Sequence, residues 1–127
     1  MRYIAILISL LITVNVAYPI IRGGAILDDV TTTATVTVQP RGVNKVFQMA
    51  AYGANATESA SVTISGSVDG TNFELLDTLT VTMTATPTVY TDYGTDATAW
   101  KYLKIGVSEI TGTGTATIDL YMSTLIE

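Results

Sequence analysis

The sequence has 127 residues, of which 48% are hydrophobic and 13% charged, with a net charge of −5; this gives one domain with a real core plus at most an appendage, and excludes a disordered chain. Histidine and cysteine are both absent, which removes the usual general base near neutral pH, thiol nucleophiles, disulfides and structural zinc sites, so neither catalysis nor a cofactor is expected. The six basic residues (Arg2, Arg22, Arg41, Lys45, Lys101 and Lys104) are scattered and outnumbered by acidic ones, so no footprint for nucleic acid exists.

From Tyr3 to Ile21 nineteen consecutive residues carry no charge. As a helix rising ~1.5 Å per residue this stretch comes close to the ~30 Å hydrocarbon thickness of a bilayer. Arg2 and Arg22 bracket it, Tyr3 and Tyr18 stand where amphipathic rings prefer the headgroup level, and Pro19 closes it. The segment predicts one hydrophobic helix within residues 1–24, a membrane anchor or assembly arm whose contact positions are Tyr3, Leu7, Leu10, Leu11, Val14, Tyr18 and Ile21. Two other readings stay open: a secretory signal cut near Ala17, and an arm buried against other protein subunits. Asn15 fits the small-residue rule before such a cut poorly, and the apolar run continues past it.

After Gly23-Gly24 the texture becomes threonine-rich, with 23 Thr in the whole chain, a β-branched residue suited to pleated surfaces. In residues 31–39 Ala34, Val36 and Val38 alternate with Thr33, Thr35 and Thr37, the period of a half-buried strand. The same alternation places Phe47, Met49 and Ala51 on one face, then Val62 and Ile64, Leu79, Val81 and Met83, and Leu103, Ile105 and Val107. In the last run Ala116, Ile118, Leu120 and Met122 oppose Thr115, Thr117, Asp119 and Tyr121. Pro40-Arg41-Gly42, Gly53-Ala54-Asn55, Asp69-Gly70, Asp92-Tyr93-Gly94 and Gly112-Thr113-Gly114 read as turns, Asp69-Gly70 as the strongest hairpin signal. Seven or eight short strands without helical periodicity predict a mainly β domain over residues 25–127, an antiparallel β-sandwich of jelly-roll or immunoglobulin-like type.

Asp69, Asn72 and Asp77 near one turn, with Asp92 and Asp96 near another, could in principle ligate calcium, but Asp and Asn are ordinary turn residues and no calcium-loop pattern is present. Tyr90, Tyr93, Trp100 and Tyr102 lie close in sequence and define a possible ligand or contact surface, a platform on which sugar rings could stack; core or edge packing is the competing expectation. Asn55-Ala56-Thr57 matches a glycosylation sequon, a pattern that chance supplies in a Thr-rich chain.

Several of these runs, in their order, resemble a small β-sandwich domain of bacteriophage structural proteins. The residues that carry the resemblance are Ser67, Asp69, Gly70, Thr71, Asn72 and Phe73, then Trp100, Lys101, Tyr102, Leu103 and Lys104, then residues 111–117, within a match spanning about residues 25–123. The resemblance implies a non-enzymatic virion component, such as a minor capsid, decoration, spike or tail-associated protein, present in many copies and packed against capsid subunits. The leading apolar segment departs from that pattern and adds a lipid layer as expected partner. Two further expectations are a pilin-like surface filament subunit and a secreted carbohydrate-binding module at the cell surface or outside the cell.

Overall fold

The computed structural model describes residues 20–125 except residues 22, 85–88 and 113. The predicted helix, with Tyr3, Leu7, Leu10, Leu11, Val14 and Tyr18, lies outside the described residues. Ile21 is described, in the short strand β1 (Ile20–Ile21). Among the described residues no helix is long and apolar enough to cross a membrane.

Eight longer strands follow: β2 (Gly23–Val30), β3 (Ala34–Pro40), β4 (Asn44–Tyr52), β5 (Glu58–Ser67), β6 (Glu74–Met83), β7 (Tyr90–Asp96), β8 (Tyr102–Thr111) and β9 (Thr117–Leu125). They form two sheets, ordered β1-β3-β8-β5-β6 and β2-β9-β4-β7. Neighbours are antiparallel except β1, which runs parallel to the end of β3. From β2 onward the chain changes sheet at every connection save the β5–β6 hairpin. That winding is the double-sheet order of a jelly roll; an immunoglobulin-like sandwich keeps more of its sequential strands in one sheet.

The period-2 patterns produce this arrangement directly. Phe47, Met49 and Ala51, Val62 and Ile64, Leu79 and Met83, Leu103 and Ile105, and Ile118 and Leu120 are all buried, and meet between the two sheets as one core. With no disulfide, removal of this apolar surface from water is what holds the layers together. Buried polar groups extend the layer at both ends. Lys45, 1% exposed, points inward from the start of β4, where its Nζ donates to the carbonyls of Val43 and Thr98 and lies 3.3 Å from Asp96 Oδ2. At the opposite end Glu58 accepts from the amides of Thr115 and Ala116 through Oε1 and so fixes the approach to β9.

Two strands depart from the sequence expectation. β2, whose first two residues fall in the segment read as helical (residues 1–24) and whose remainder the sequence pattern leaves unassigned, pairs with β9 through bulges on either side of Leu27. Residues 92–94, read as a turn, lie inside β7, paired with residues 47–49 of β4. Gly94 is there for space: a Cβ would strike the Asp77 carboxylate, where the edges of the two sheets close on each other. Gly70, by contrast, is a true turn residue at φ +79°, and completes the β5–β6 hairpin read from Asp69-Gly70.

Candidate functional site

The outward face of the β2-β9-β4-β7 sheet is built around Gln48 at the middle of β4. Gln48 is in register with Tyr93 of β7 on one side and with Tyr121 of β9 on the other, and Tyr121 faces Ala25 of β2. Partners across antiparallel strands project to the same face, so Tyr93, Gln48, Tyr121 and Ala25 form one row running across the strands. With strands ~4.8 Å apart, the tyrosines stand ~10 Å from each other with the amide between them. Tyr93 is 72% exposed and Tyr121 41%. Short side chains flank the row: Thr95, Val46 and Ser123 on one side, Thr91, Ala50 and Asp119 on the other. The rings therefore rise above their neighbours, and Val46, itself exposed, extends the apolar surface.

One margin of this face is acidic. The Tyr121 hydroxyl donates to Asp119 Oδ2 at 3.4 Å, which draws the ring along β9. The bulged end of β2 folds against the same carboxylate: the Asp29 amide donates to Asp119 Oδ1 at 2.7 Å, and Tyr52 donates to Asp29 Oδ1 at 2.6 Å. Asp29 holds a left-handed backbone (φ 52°) that Asp tolerates better than most residues. The Tyr121 phenol is raised above its ordinary pKa, first by the negative charge of Asp119. Tyr52 is pushed further up, first by its hydrogen bond to Asp29 and then by burial. Both phenols thus remain neutral donors at physiological pH.

Asp28, Asp29 and Asp119 bring carboxylate oxygens within 4.8 Å of one another, a set that could contribute oxygens to a hard cation such as calcium. Three of these oxygens already accept hydrogen bonds, and calcium takes six or more. No described basic side chain lies on this face. Lys45 is buried beneath it, Lys101 and Lys104 belong to the β8 region of the other sheet, and Arg41 sits in the β3–β4 turn.

The aromatic cluster read from sequence does not assemble. Of Tyr90, Tyr93 and Tyr102 only Tyr93 is on the open face. Tyr90 is half-buried with its hydroxyl 2.8 Å from Thr84 Oγ1. Trp100 packs over Gly66 against the core, its Nε1 buried without a partner. Tyr102 lies half-buried on the opposite sheet, under Gly70 and beside Lys101. Alternation splits residues three apart in β7 between two faces, and the chain changes sheet before β8. The partners that Tyr93 does have, Gln48 and Tyr121, are 45 and 28 residues away in sequence; only strand register brings them to it.

The carboxylates that the sequence offers as calcium ligands are likewise dispersed into other work, each engaged locally. Asp69 Oδ1 accepts from the amides of Thr71 and Asn72 and from the Ser67 hydroxyl, and Oδ2 from Asn72 Nδ2. The backbone bonds from Asn72 and Thr71 hold this carboxyl well below the usual carboxylate range. Asp77 accepts from Thr78, Asp92 from Thr80 across the sheet edge, and Asp96 pairs with Lys45. Asn55 is exposed, and its amide and side chain are tied to the Thr115 hydroxyl.

No protein-family model and no curated protein matches the sequence. Among solved structures the chain is similar to a CBM4 structure, with 20% identity over 70% of this chain and 56% of that one, and a TM-score of 0.45. It is also similar to the N-terminal cellulose-binding domain of Cellulomonas fimi β-1,4-glucanase C, with 14% identity over 87% of this chain and 99% of that one, TM-score 0.45. A third likeness is to the enzymatically active domain of bacteriophage CBA120 tailspike protein 4, with 13% identity over 86% of this chain but 18% of that one, TM-score 0.45. The chain thus spans just over half of the first and under a fifth of the tailspike. At these scores the chemistry of the site rests on its own side chains.

Proposed function

We propose that this domain is a glycan-binding module and that the outer face of the β2-β9-β4-β7 sheet is its binding surface. The observation that carries the reading is the in-register row Tyr93–Gln48–Tyr121, with both rings exposed on a rigid sheet. An aromatic ring presents a flat apolar face to the C–H side of a sugar, and the intervening amide both donates to and accepts from hydroxyls. Neutral phenols and the carboxylate margin supply further donors and acceptors, so the site combines apolar area with a few placed polar groups. A glycan-binding role fits a domain at the cell surface or in the extracellular space. The packing role in a virion implied by the sequence resemblance gains no support from the described residues, and the glycan reading does not depend on it.

Electrophoresis of the full-length protein through gels containing soluble polysaccharides tests this. The expected result is retardation by at least one polysaccharide, lost in Tyr93→Ala/Tyr121→Ala at unchanged melting temperature. Equal retardation of the double variant, or none in any gel, contradicts the reading.

A further inference from the structure

Resting on that reading, we infer that the ligand is an uncharged, extended glycan, gripped along an internal stretch of its chain. Three features of the face lead there, beginning with charge. The row has carboxylates along one margin, and the Tyr121 hydroxyl touches Asp119 directly. No described Lys or Arg forms an ion pair with these carboxylates, and the whole chain carries −5. A sugar stacked on Tyr121 is well inside the ~8 Å screening length of Asp119, so an acidic ring there would be repelled while a hydroxyl can donate to the carboxylate.

The second feature is that, among the described residues, the row is open at both ends. Tyr93 lies on edge strand β7, and the row finishes at exposed Ala25 on edge strand β2. A site for a chain terminus needs a wall that stops the polymer and reads its last ring. Among the described residues the row runs off both edges of the sheet, so a polymer enters at one edge and leaves at the other.

The third feature is spacing. Two interstrand steps separate the tyrosines by ~10 Å, close to the length of a disaccharide unit in an extended β-linked chain. Rings at that interval present equivalent faces to Tyr93 and Tyr121, and the intermediate sugar lies over Gln48. Short flanking side chains (Ala50, Thr91 and Thr95) let a single extended chain cross without obstruction, whereas one monosaccharide could use only one tyrosine.

Calorimetric titration of the full-length protein tests the inference with cello-, xylo- and manno-oligosaccharides from one to six rings, an end-blocked hexamer of each, and an oligogalacturonate hexamer. The expected result for at least one neutral series is affinity rising about tenfold or more between one and four rings and level beyond, unchanged by blocking the end. The uronate should bind about tenfold more weakly or not at all. Each stacked ring accounts for about five- to tenfold, so Tyr93→Ala should remove that factor from the tetramer and weaken the monomer, which can still stack on Tyr121, by no more than about twofold. Uronate binding as tight as the neutral hexamer, or a single sugar binding as tightly as the tetramer, overturns the inference and leaves the glycan reading standing. Absence of binding to every sugar, together with unretarded migration in every polysaccharide gel, overturns both.

Discussion

The two sheets share one core but turn different faces to water. On the β3-β8-β5-β6 side exposed Leu75 and Lys104 lie nearer the hairpin end, and along much of the β5–β6 pair the outward positions are short hydroxyl residues set opposite one another: Ser59 and Thr82, Ser61 and Thr80, Thr63 and Thr78. Their oxygens bond among themselves, 3.3 Å for the first pair and 3.0 Å for the second, and Ser108 donates to the Ser61 carbonyl. The face satisfies itself. On the β2-β9-β4-β7 side the equivalent positions hold Tyr93, Gln48, Tyr121 and Val46, three of them large and open to solvent. Since the same alternating grammar closes the first face with Ser and Thr, the exposed rings of the second are not something the sandwich requires. A face that leaves its largest side chains open to solvent is the place to look for binding.

The strongest test of the shared core is a charge placed in either sheet. Ile105 and Ile118 are both fully buried, one from each layer. Ile105→Asp and Ile118→Asp should each cost more than about 4 kcal/mol and unfold both sheets together, seen as complete loss of β signal by circular dichroism. Survival of one sheet would break the comparison by showing two separable layers. Lys45→Ala should follow at about 3 kcal/mol in chemical denaturation, because it leaves Asp96 and the Thr98 carbonyl without their buried partner; Lys45→Met, which keeps the packing volume, should recover part of the loss.

Exposed substitutions sharpen the contrast between faces. Tyr93→Ala and Tyr121→Ala should each weaken oligosaccharide binding about five- to tenfold while stability stays within about 0.5 kcal/mol for the more exposed Tyr93. Ser61→Ala/Thr80→Ala on the hydroxyl face should leave binding unchanged and cost up to about 1 kcal/mol. The smallest effect concerns acid. The Asp69 carboxyl is held below its unfolded value of 3.8, so its contribution is present above that pH and lost as pH falls below it. The midpoint of unfolding measured from pH 6 down to pH 2 should therefore fall less steeply in Asp69→Asn than in the parent.

The core was legible from the sequence because each apolar run obeys a period of two, and Phe47, Ile64, Leu79, Ile105 and Ile118 face inward as that period requires. The turns were legible where backbone geometry demands Gly, as at Gly70. β7 was misread because Gly94 serves close approach between sheet edges, which composition cannot tell from turn chemistry. β2 was missed because its bulges break the alternation around Leu27. The outward placement of Tyr121 follows from the pattern, but its alignment with Gln48 and Tyr93 depends on which strands pair and in what register. Local periodicity holds no such information, so nearness in sequence grouped Tyr93 with Tyr90 and Tyr102 instead.

Amide-resolved NMR titration of the full-length protein with the tightest neutral oligosaccharide tests the central claim most directly. Shifts confined to residues 91–95, 46–50 and 119–123, with residues 59–63 and 78–82 unmoved, are the predicted result. Shifts centred on the hydroxyl face, or on the loops at either end of the sandwich, would contradict it.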